Sequence, residues 1–204
     1  MKSAELEAKL KTLEATIEKL ESRLTITEDI EAIKKLQRTY GFYLTHWMGQ
    51  DIVDLFSDSP DVSLIVIIGE FRGKEGIKKF YLARQPNPEL LLAVMQLSGV
   101  VDVAPNGKTA KGRWFGFGLP AVPVDKSSPV HGFLSGIYEM DYIKENEVWK
   151  FWKLQWRIIA HISPKEGWLS TEVPFKPLDA DIPPASRSVD YRLPIHFKNP
   201  VTGK

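Results

Sequence analysis

An α+β fold, with helices first and a mostly antiparallel sheet after them, is predicted from three observations. Residues 3–48 carry apolar side chains at helical spacing. From Val62 to Arg157 the chain is dominated by β-branched and aromatic runs, interrupted by one stretch of helical character that opens at Gly73. Asn106-Gly107 sits between two of those runs, which is a hairpin signal, and Gly136–Arg157 reads as two long strands folded about a tight Glu145-Asn146 turn. Helices segregated from an antiparallel sheet define the α+β class.

The first element spans residues 3–24. Leu6, Leu10, Leu13, Ile17, Leu20 and Leu24 alternate spacings of four and three, the a/d stripe of a coiled coil, while the other faces are charged. Three heptads are marginal alone in water, so the stripe needs a partner: the same helix of another subunit, which is favoured, or the body of the protein. Thr25-Ile26-Thr27-Glu28-Asp29 has cap-forming residues at capping-box spacing and is expected to end this helix and begin a second. The second runs from about Asp29 to Met48 on Ile30, Ile33, Leu36, Tyr40, Tyr43, Leu44 and Trp47, with Gly49 as its stop. A short helix at Ile52–Phe56 follows, then a strand at Val62–Ile68, a helix from Gly73 to Leu82 or Ala83, and strands at 90–103 and 109–119. From Pro164 onward seven prolines thin out regular structure, yet Trp168, Phe175, Tyr191 and Phe197 are too apolar for a solvated tail. An extended arm docked on the body or on a neighbouring subunit is expected there.

Composition narrows the function classes. A formal net charge of +1 gives no electrostatic case for nucleic acid or an anionic membrane. Without cysteine there is no disulfide framework, thiol nucleophile or Cys-based zinc site, which fits a reducing cytoplasm. The N-terminal residues alternate charge with leucine instead of forming a signal-type apolar block, and Val62–Gly69 is too short to span a bilayer. The six Trp and other aromatics suit either a core or a pocket for a flat organic ligand.

Asp29–Tyr40, Phe71-Arg72-Gly73-Lys74-Glu75-Gly76-Ile77, Val103–Trp114, the Gly136–Arg157 hairpin and Phe197-Lys198-Asn199-Pro200-Val201-Thr202-Gly203 occur in one order. Together they resemble SnoaL-like proteins of the nuclear-transport-factor-2-like superfamily, over roughly residues 28–200. The resemblance implies a cone-shaped curved sheet with helices packed over it and a cavity inside. It divides the chain into an N-terminal heptad helix (1–26), a SnoaL-like domain (27–163) and an extended Pro-rich C-terminal arm (164–204). Relatives include dehydratases of polyketide or bile-acid skeletons, ketosteroid isomerase and lyases of lignin-derived aromatics, many of which need no cofactor.

By that resemblance Tyr40 falls where the dehydratases carry a cavity-lining tyrosine, whose phenol can hydrogen-bond a departing hydroxyl or a developing enolate. The family's Asp and His positions are held here by Thr45 and Val94, so its usual His–Asp base is absent. The base is sought among the four histidines: His46 beside Trp47, His131 just before a strand, His161 after the last strand, and His196 in the tail. None pairs at metal-motif spacing, so no metal and no cofactor is expected. His46 and His131 are taken as catalytic with Tyr40; Tyr43, Trp47, Met95, Trp114, Arg157 and His161 are taken as substrate-binding. On the last strand Phe151, Lys153, Gln155 and Arg157 are read as one face against Trp152, Leu154 and Trp156; Glu139 and Asp141 are read as a candidate acid pair. The expected function is a cytoplasmic, cofactor-independent lyase or isomerase acting on a hydroxylated aromatic or polycyclic small molecule, in a homo-oligomer built through the N-terminal helix and C-terminal arm. A non-catalytic binding or assembly protein of the same fold is the alternative.

Overall fold

One helix, α1 (Lys2–Thr45), replaces the two expected. The computed structural model describes residues 2–83, 91–125 and 128–162, with side chains over 3–83, 91–120 and 132–162; the expected arm at 164–204, and His196 within it, lie outside them. The residues read as caps do not interrupt α1, because the Thr25 and Thr27 hydroxyls donate to the carbonyls four residues back, Glu21 O at 2.9 Å and Arg23 O at 3.0 Å. What changes near Asp29 is the apolar face. Up to Leu24 the stripe is exposed; from Asp29 onward Asp29, Ile33, Gln37 and Tyr40 are buried on another side of the same helix.

Helix α1 ends earlier than Gly49. Met48 N–H donates to Tyr43 O at 3.0 Å and Trp47 N–H to Leu44 O at 3.3 Å, the two bonds of a Schellman stop, with Trp47 left-handed at φ 58. A bulky residue at that dihedral is strained where glycine would be free. Gly49 instead opens α2 (Gly49–Asp54), a few residues before the expected start.

Seven strands form one sheet in the order β2-β1-β7-β6-β4-β3, with β5 on β4. They are β1 (Ser63–Val66), β2 (Gly69–Arg72), β3 (Leu91–Val103), β4 (Thr109–Asp125), β5 (Ser128–His131), β6 (Phe133–Glu145) and β7 (Val148–Ile162); α3 (Gly73–Leu82) lies between β2 and β3. All pairs are antiparallel except β1 with β7, which run parallel. The expected Val62–Ile68 strand is shorter because the chain turns at Ile67-Ile68 into β2. His131 ends β5, and His161 lies within β7 instead of after it. The final hairpin turns on Asn146-Glu147, both left-handed (φ 49 and 62), one residue beyond the expected pair. That is the backbone a two-residue hairpin loop demands.

Curvature comes from bulges. The β6–β7 register slips between Asp141 and Tyr142 and again between Ser135 and Gly136, and β3–β4 slips between Leu97 and Val100. Each extra residue bends its strand and shifts the inward set: Trp149, Phe151, Leu154, Trp156, Ile158 and His161 face the helices. Phe151 therefore belongs with Leu154 and Trp156, and not with Lys153, Gln155 and Arg157 as simple alternation predicts. The core fills the space between this concave face and α1, α2 and α3, with Phe56, Phe151, Tyr138, Tyr142, Leu64 and Met140 fully enclosed.

A polar latch closes one end. Ser57 Oγ donates to Glu145 Oε1, and Lys150 Nζ reaches Glu145 Oε2 at 3.2 Å and Asp58 Oδ2 at 3.0 Å. Lys74 Nζ reaches Asp58 Oδ1 at 3.0 Å. Burial opposes the charged form of Glu145, but hydrogen bonds from Ser57, Lys150 and the Asp58 N–H outweigh it and hold its carboxyl below the ordinary 4.5. Hydrogen bonds from Lys74 and Lys150 hold Asp58 below its ordinary 3.8. Depressed carboxyls stabilise the fold above their unfolded-state values, and that contribution is lost as pH falls through the lower folded-state values. The melting temperature should therefore be level above about pH 5 and drop below about pH 4, with a shallower drop in Glu145→Gln. Equal slopes for the two proteins in melts across pH 3–6 would remove the latch from the account.

Candidate functional site

Four elements bring phenols and amides together inside the cone. Tyr40 comes from α1, Tyr81 from the end of α3, Tyr138 from the inward face of β6 and Gln96 from β3. The Tyr40 and Tyr81 hydroxyls are 3.0 Å apart and buried. Tyr138 is hydrogen-bonded to both Tyr40 and Gln96, and Gln96 Nε2 donates to Val94 O at 2.8 Å. Gly41 makes room for this: a Cβ there would sit 2.3 Å from Gln96 Oε1. One turn back on α1, Tyr142 OH donates to Gln37 Oε1 at 2.9 Å and accepts from Trp114 Nε1 at 2.9 Å. Gln37 is wholly buried, and its Nε2 makes no hydrogen bond among the described residues.

The cluster is built of proton donors. Burial, and then the neighbouring Tyr40, push Tyr138 well above its ordinary 10, against the Gln96 hydrogen bond. Burial likewise raises Tyr142 despite the hydrogen bond from Trp114. Such phenols stay neutral at physiological pH and act as hydrogen-bond donors or acids, never as bases. In the Tyr40–Tyr81 pair one hydroxyl donates to the other, which polarises the accepting phenol's own O–H.

Aromatic rings surround the phenols. Tyr40 meets Tyr81, Tyr138 and Phe151 edge to face, with centroids 6.4, 6.1 and 5.6 Å apart. Trp114, Tyr138 and Trp156 form one rung across β4, β6 and β7, and Tyr138 stacks on Trp156 at 4.2 Å.

Of the residues expected to act, Tyr40 and Trp114 lie in this cluster, and Tyr43 packs, partly buried, against the wider hydrophobic core. His46 is exposed at the end of α1, with Nδ1 2.7 Å from Phe42 O, where an imidazole caps the helix carbonyls. Trp47 is half-buried at the helix stop. His161 is buried on the inward face of β7, opposite Leu134. It is five residues beyond Trp156, which pairs with Tyr138, so roughly 16 Å of strand separates it from that phenol. The side chain of His131 lies outside the described residues, but Gly132 next to it approaches His161 Nε2, at 3.5 Å from an added Cβ. Met95 and Arg157 are on the other side of the sheet.

There, Arg157, Gln155, Trp152, Ile65, Glu70 and Arg72 line a groove of about 530 Å³ on the outer face. Glu139 and Asp141 also point outward, joined to Arg113 at 2.6 Å and Lys111 at 2.8 Å, so they are ion-pair partners and not an acid pair. Trp152 Nε1 is sheltered and makes no hydrogen bond among the described residues. Among the described residues no group of three His, Asp or Glu is placed to hold a metal ion, and no helix is long and apolar enough to cross a membrane.

The SnoaL-like domain family matches residues 25–155. The chain belongs to that family. No protein of curated description matches it significantly in sequence. Among solved structures, a candidate scytalone dehydratase from Novosphingobium aromaticivorans is 17% identical, with a TM-score of 0.55 over 66% of this chain and 86% of that one. An NTF2-like protein with a cystatin-like fold from the same organism is 18% identical, with a TM-score of 0.54 over 69% and 88%. A variant of a Mycobacterium tuberculosis protein of unknown function is 19% identical, with a TM-score of 0.52 over 75% and 86%. At these identities the likeness is one of fold.

Within the SnoaL-like frame the two departures are now placed. Thr45 Oγ1 donates to Gly41 O at 3.0 Å, and Val94 is buried against the core. Sequence reasoning missed Gln37, Tyr81, Gln96, Tyr138 and Tyr142. Tyr138 and Tyr142 alternate with Met140 on one strand face, a pattern available in the sequence; Tyr81 and Gln96 become visible only once α3 and β3 are packed against α1.

Proposed function

We propose that this SnoaL-like protein is a cofactor-independent lyase or isomerase of a hydroxylated aromatic or polycyclic small molecule, with Tyr40 as its acid. The carrying observation is the buried pair of phenols, Tyr40 and Tyr81, 3.0 Å apart and tied through Tyr138 to Gln96. A neutral phenol polarised by a second one supports donation to a leaving hydroxyl or an enolate oxygen. The aromatic walls suit a flat carbon skeleton. His161, with the end of β5 at His131 beside it, is the basic group assigned to the far end of the substrate. The chain acts in the cytoplasm as a homo-oligomer: residues 1–26 associate, 27–163 handle the ligand, and 164–204 add a second contact.

A second reading, ligand binding without turnover, is favoured by one observation. His46 is spent on capping α1, and the partners named for the phenols are phenols, amides and the Trp114 indole. Both readings are tested by incubating the purified chain with a panel of hydroxylated aromatic and polycyclic alcohols and following products by mass. Turnover with a kcat/KM about 10²–10³-fold lower in Tyr40→Phe is the expected result. Saturable binding without product, weakened in Tyr40→Phe, would instead establish the binder. Neither product nor binding would end both readings.

A further inference from the structure

The N-terminal stripe of α1 faces away from its own cone. Leu6, Leu10, Leu13, Ile17, Leu20 and Leu24 are between 50% (Leu10) and 60% (Leu6) exposed. At 100° per residue their mean direction lies about 175° around the helix from that of Asp29, Ile33, Gln37 and Tyr40, the face buried against the sheet. Because α1 is unbroken from Lys2 to Thr45, the stripe cannot fold back onto the body that its far end already packs against. A free-standing helix of this length with an apolar seam is marginal in water, so the seam needs another chain.

Charge identifies that chain and its direction. The spacing places Leu10, Ile17 and Leu24 at heptad position a, and Leu6, Leu13 and Leu20 at d. The flanking e positions are then Glu7, Glu14, Glu21 and Glu28, and the flanking g positions are Lys9, Thr16 and Arg23. In a parallel pair each g position faces the e position five residues on in its partner. That sets Lys9 against Glu14, Thr16 against Glu21 and Arg23 against Glu28. In an antiparallel pair e faces e and g faces g, which would oppose glutamate with glutamate along one flank and set cation against cation along the other. In the central heptad Ile17 at a stands between Leu13 and Leu20 at d, the combination that favours two strands over three or four. Thr27 at d and Glu31 at a end the seam where the buried face begins.

We infer that a second copy of this chain covers the stripe, as a parallel, in-register two-stranded coiled coil over residues 3–24. This rests on the proposed self-association and adds its direction, register and number. Since each helix continues into its own cone, both phenol clusters stand at the same end of the assembly.

The absence of cysteine makes the test direct. Full-length Ser3→Cys (position a) and Thr27→Cys (position d) are oxidised separately and as a mixture, and the mass of the parent chain is measured by sedimentation. Expected are a mass twice that of the chain, disulfide dimers from each variant alone, and no cross-link between the two variants. In an antiparallel pair residues 3 and 3′ would lie about 36 Å apart, so cross-linking confined to the mixture overturns the direction. A threefold mass overturns the two-stranded form, and a monomer at micromolar concentration overturns self-association itself. As a check independent of oxidation, Glu14→Lys with Glu28→Lys should weaken association at least tenfold. Mixing that protein with one carrying Lys9→Glu and Arg23→Glu should restore it. Failure of the mixture to associate overturns the register.

Discussion

Asp29→Ala is expected to lower the unfolding free energy by about 3–5 kcal/mol. Asp29 is buried in α1, and its Oδ1 accepts from Lys144 Nζ at 2.6 Å and from Trp149 Nε1 at 2.8 Å. Lys144 and Asp29 side chains are only 12% and 9% exposed, so water cannot replace the carboxylate when it is removed. The truncation leaves an enclosed ammonium without a counter-charge and an indole N–H without an acceptor, and each of these is costly on its own. Lys144 Nζ also lies 5.2 Å from the Trp149 ring, a contact that softens the loss without cancelling it. Asp29→Asn, which keeps an acceptor for Trp149, should fall between the two. Removing both charges in Asp29→Ala with Lys144→Met should recover much of the loss, because the desolvation of the pair offsets most of its attraction. Urea midpoints at unchanged slope are the measurement. A loss under about 1 kcal/mol in Asp29→Ala would mean that Lys144 finds solvent, and the pair would be a surface interaction in effect.

Asp29 also shows how far the sequence could be read. It stands in a Thr-Ile-Thr-Glu-Asp run that has every local mark of a helix start, yet it lies mid-helix with its carboxylate in the core. Local signals report what a segment does alone, whereas one continuous helix can present two apolar faces in succession to two different partners. The break in apolar phase near residue 27 was legible; that it marks a change of partner and not a change of element was not. The 103–109 and 145–148 hairpins were legible because turn residues are local. The bulges at Trp152 and Ile159 were not, since a bulge is a property of the paired strand and leaves no mark on its own residues. Tyr40 was within reach as one residue on a helix stripe. Its partners Tyr81, Tyr138 and Gln96 come from three other elements, so the cluster exists only in the folded chain.

The glycines of β4 and β6 carry the second large effect. Gly116 and Gly136 face each other across the two strands, and the Trp156 ring lies over both. A Cβ on Gly116 would meet Trp156 Cζ3 at 2.3 Å and the Tyr138 ring at 2.9 Å. One on Gly136 would meet Arg157 O at 2.3 Å and Trp156 at 2.5 Å. Gly116→Ala and Gly136→Ala should therefore each cost about 2–3 kcal/mol by overpacking. The two sites then separate by what is in the way. At Gly116 the obstacles are side chains, the Trp156 ring first and the Tyr138 ring at 2.9 Å behind it, so in a Trp156→Leu background Gly116→Ala should cost less, giving a coupling of about 1–2 kcal/mol in the double-mutant cycle. At Gly136 a backbone carbonyl remains after the ring is gone, and the cost should persist in that background. Relief at neither position would show that the Trp156 ring is not what these glycines make room for, and relief at both would show that the Arg157 carbonyl is no obstacle at Gly136. The cycle bears on function as well. Trp156 stacks on Tyr138, and Tyr138 is hydrogen-bonded to Tyr40. A ring lifted off Gly116 moves the phenol cluster, so Gly116→Ala should weaken ligand handling along with stability, whereas Glu145→Gln at the distant latch should lower stability alone.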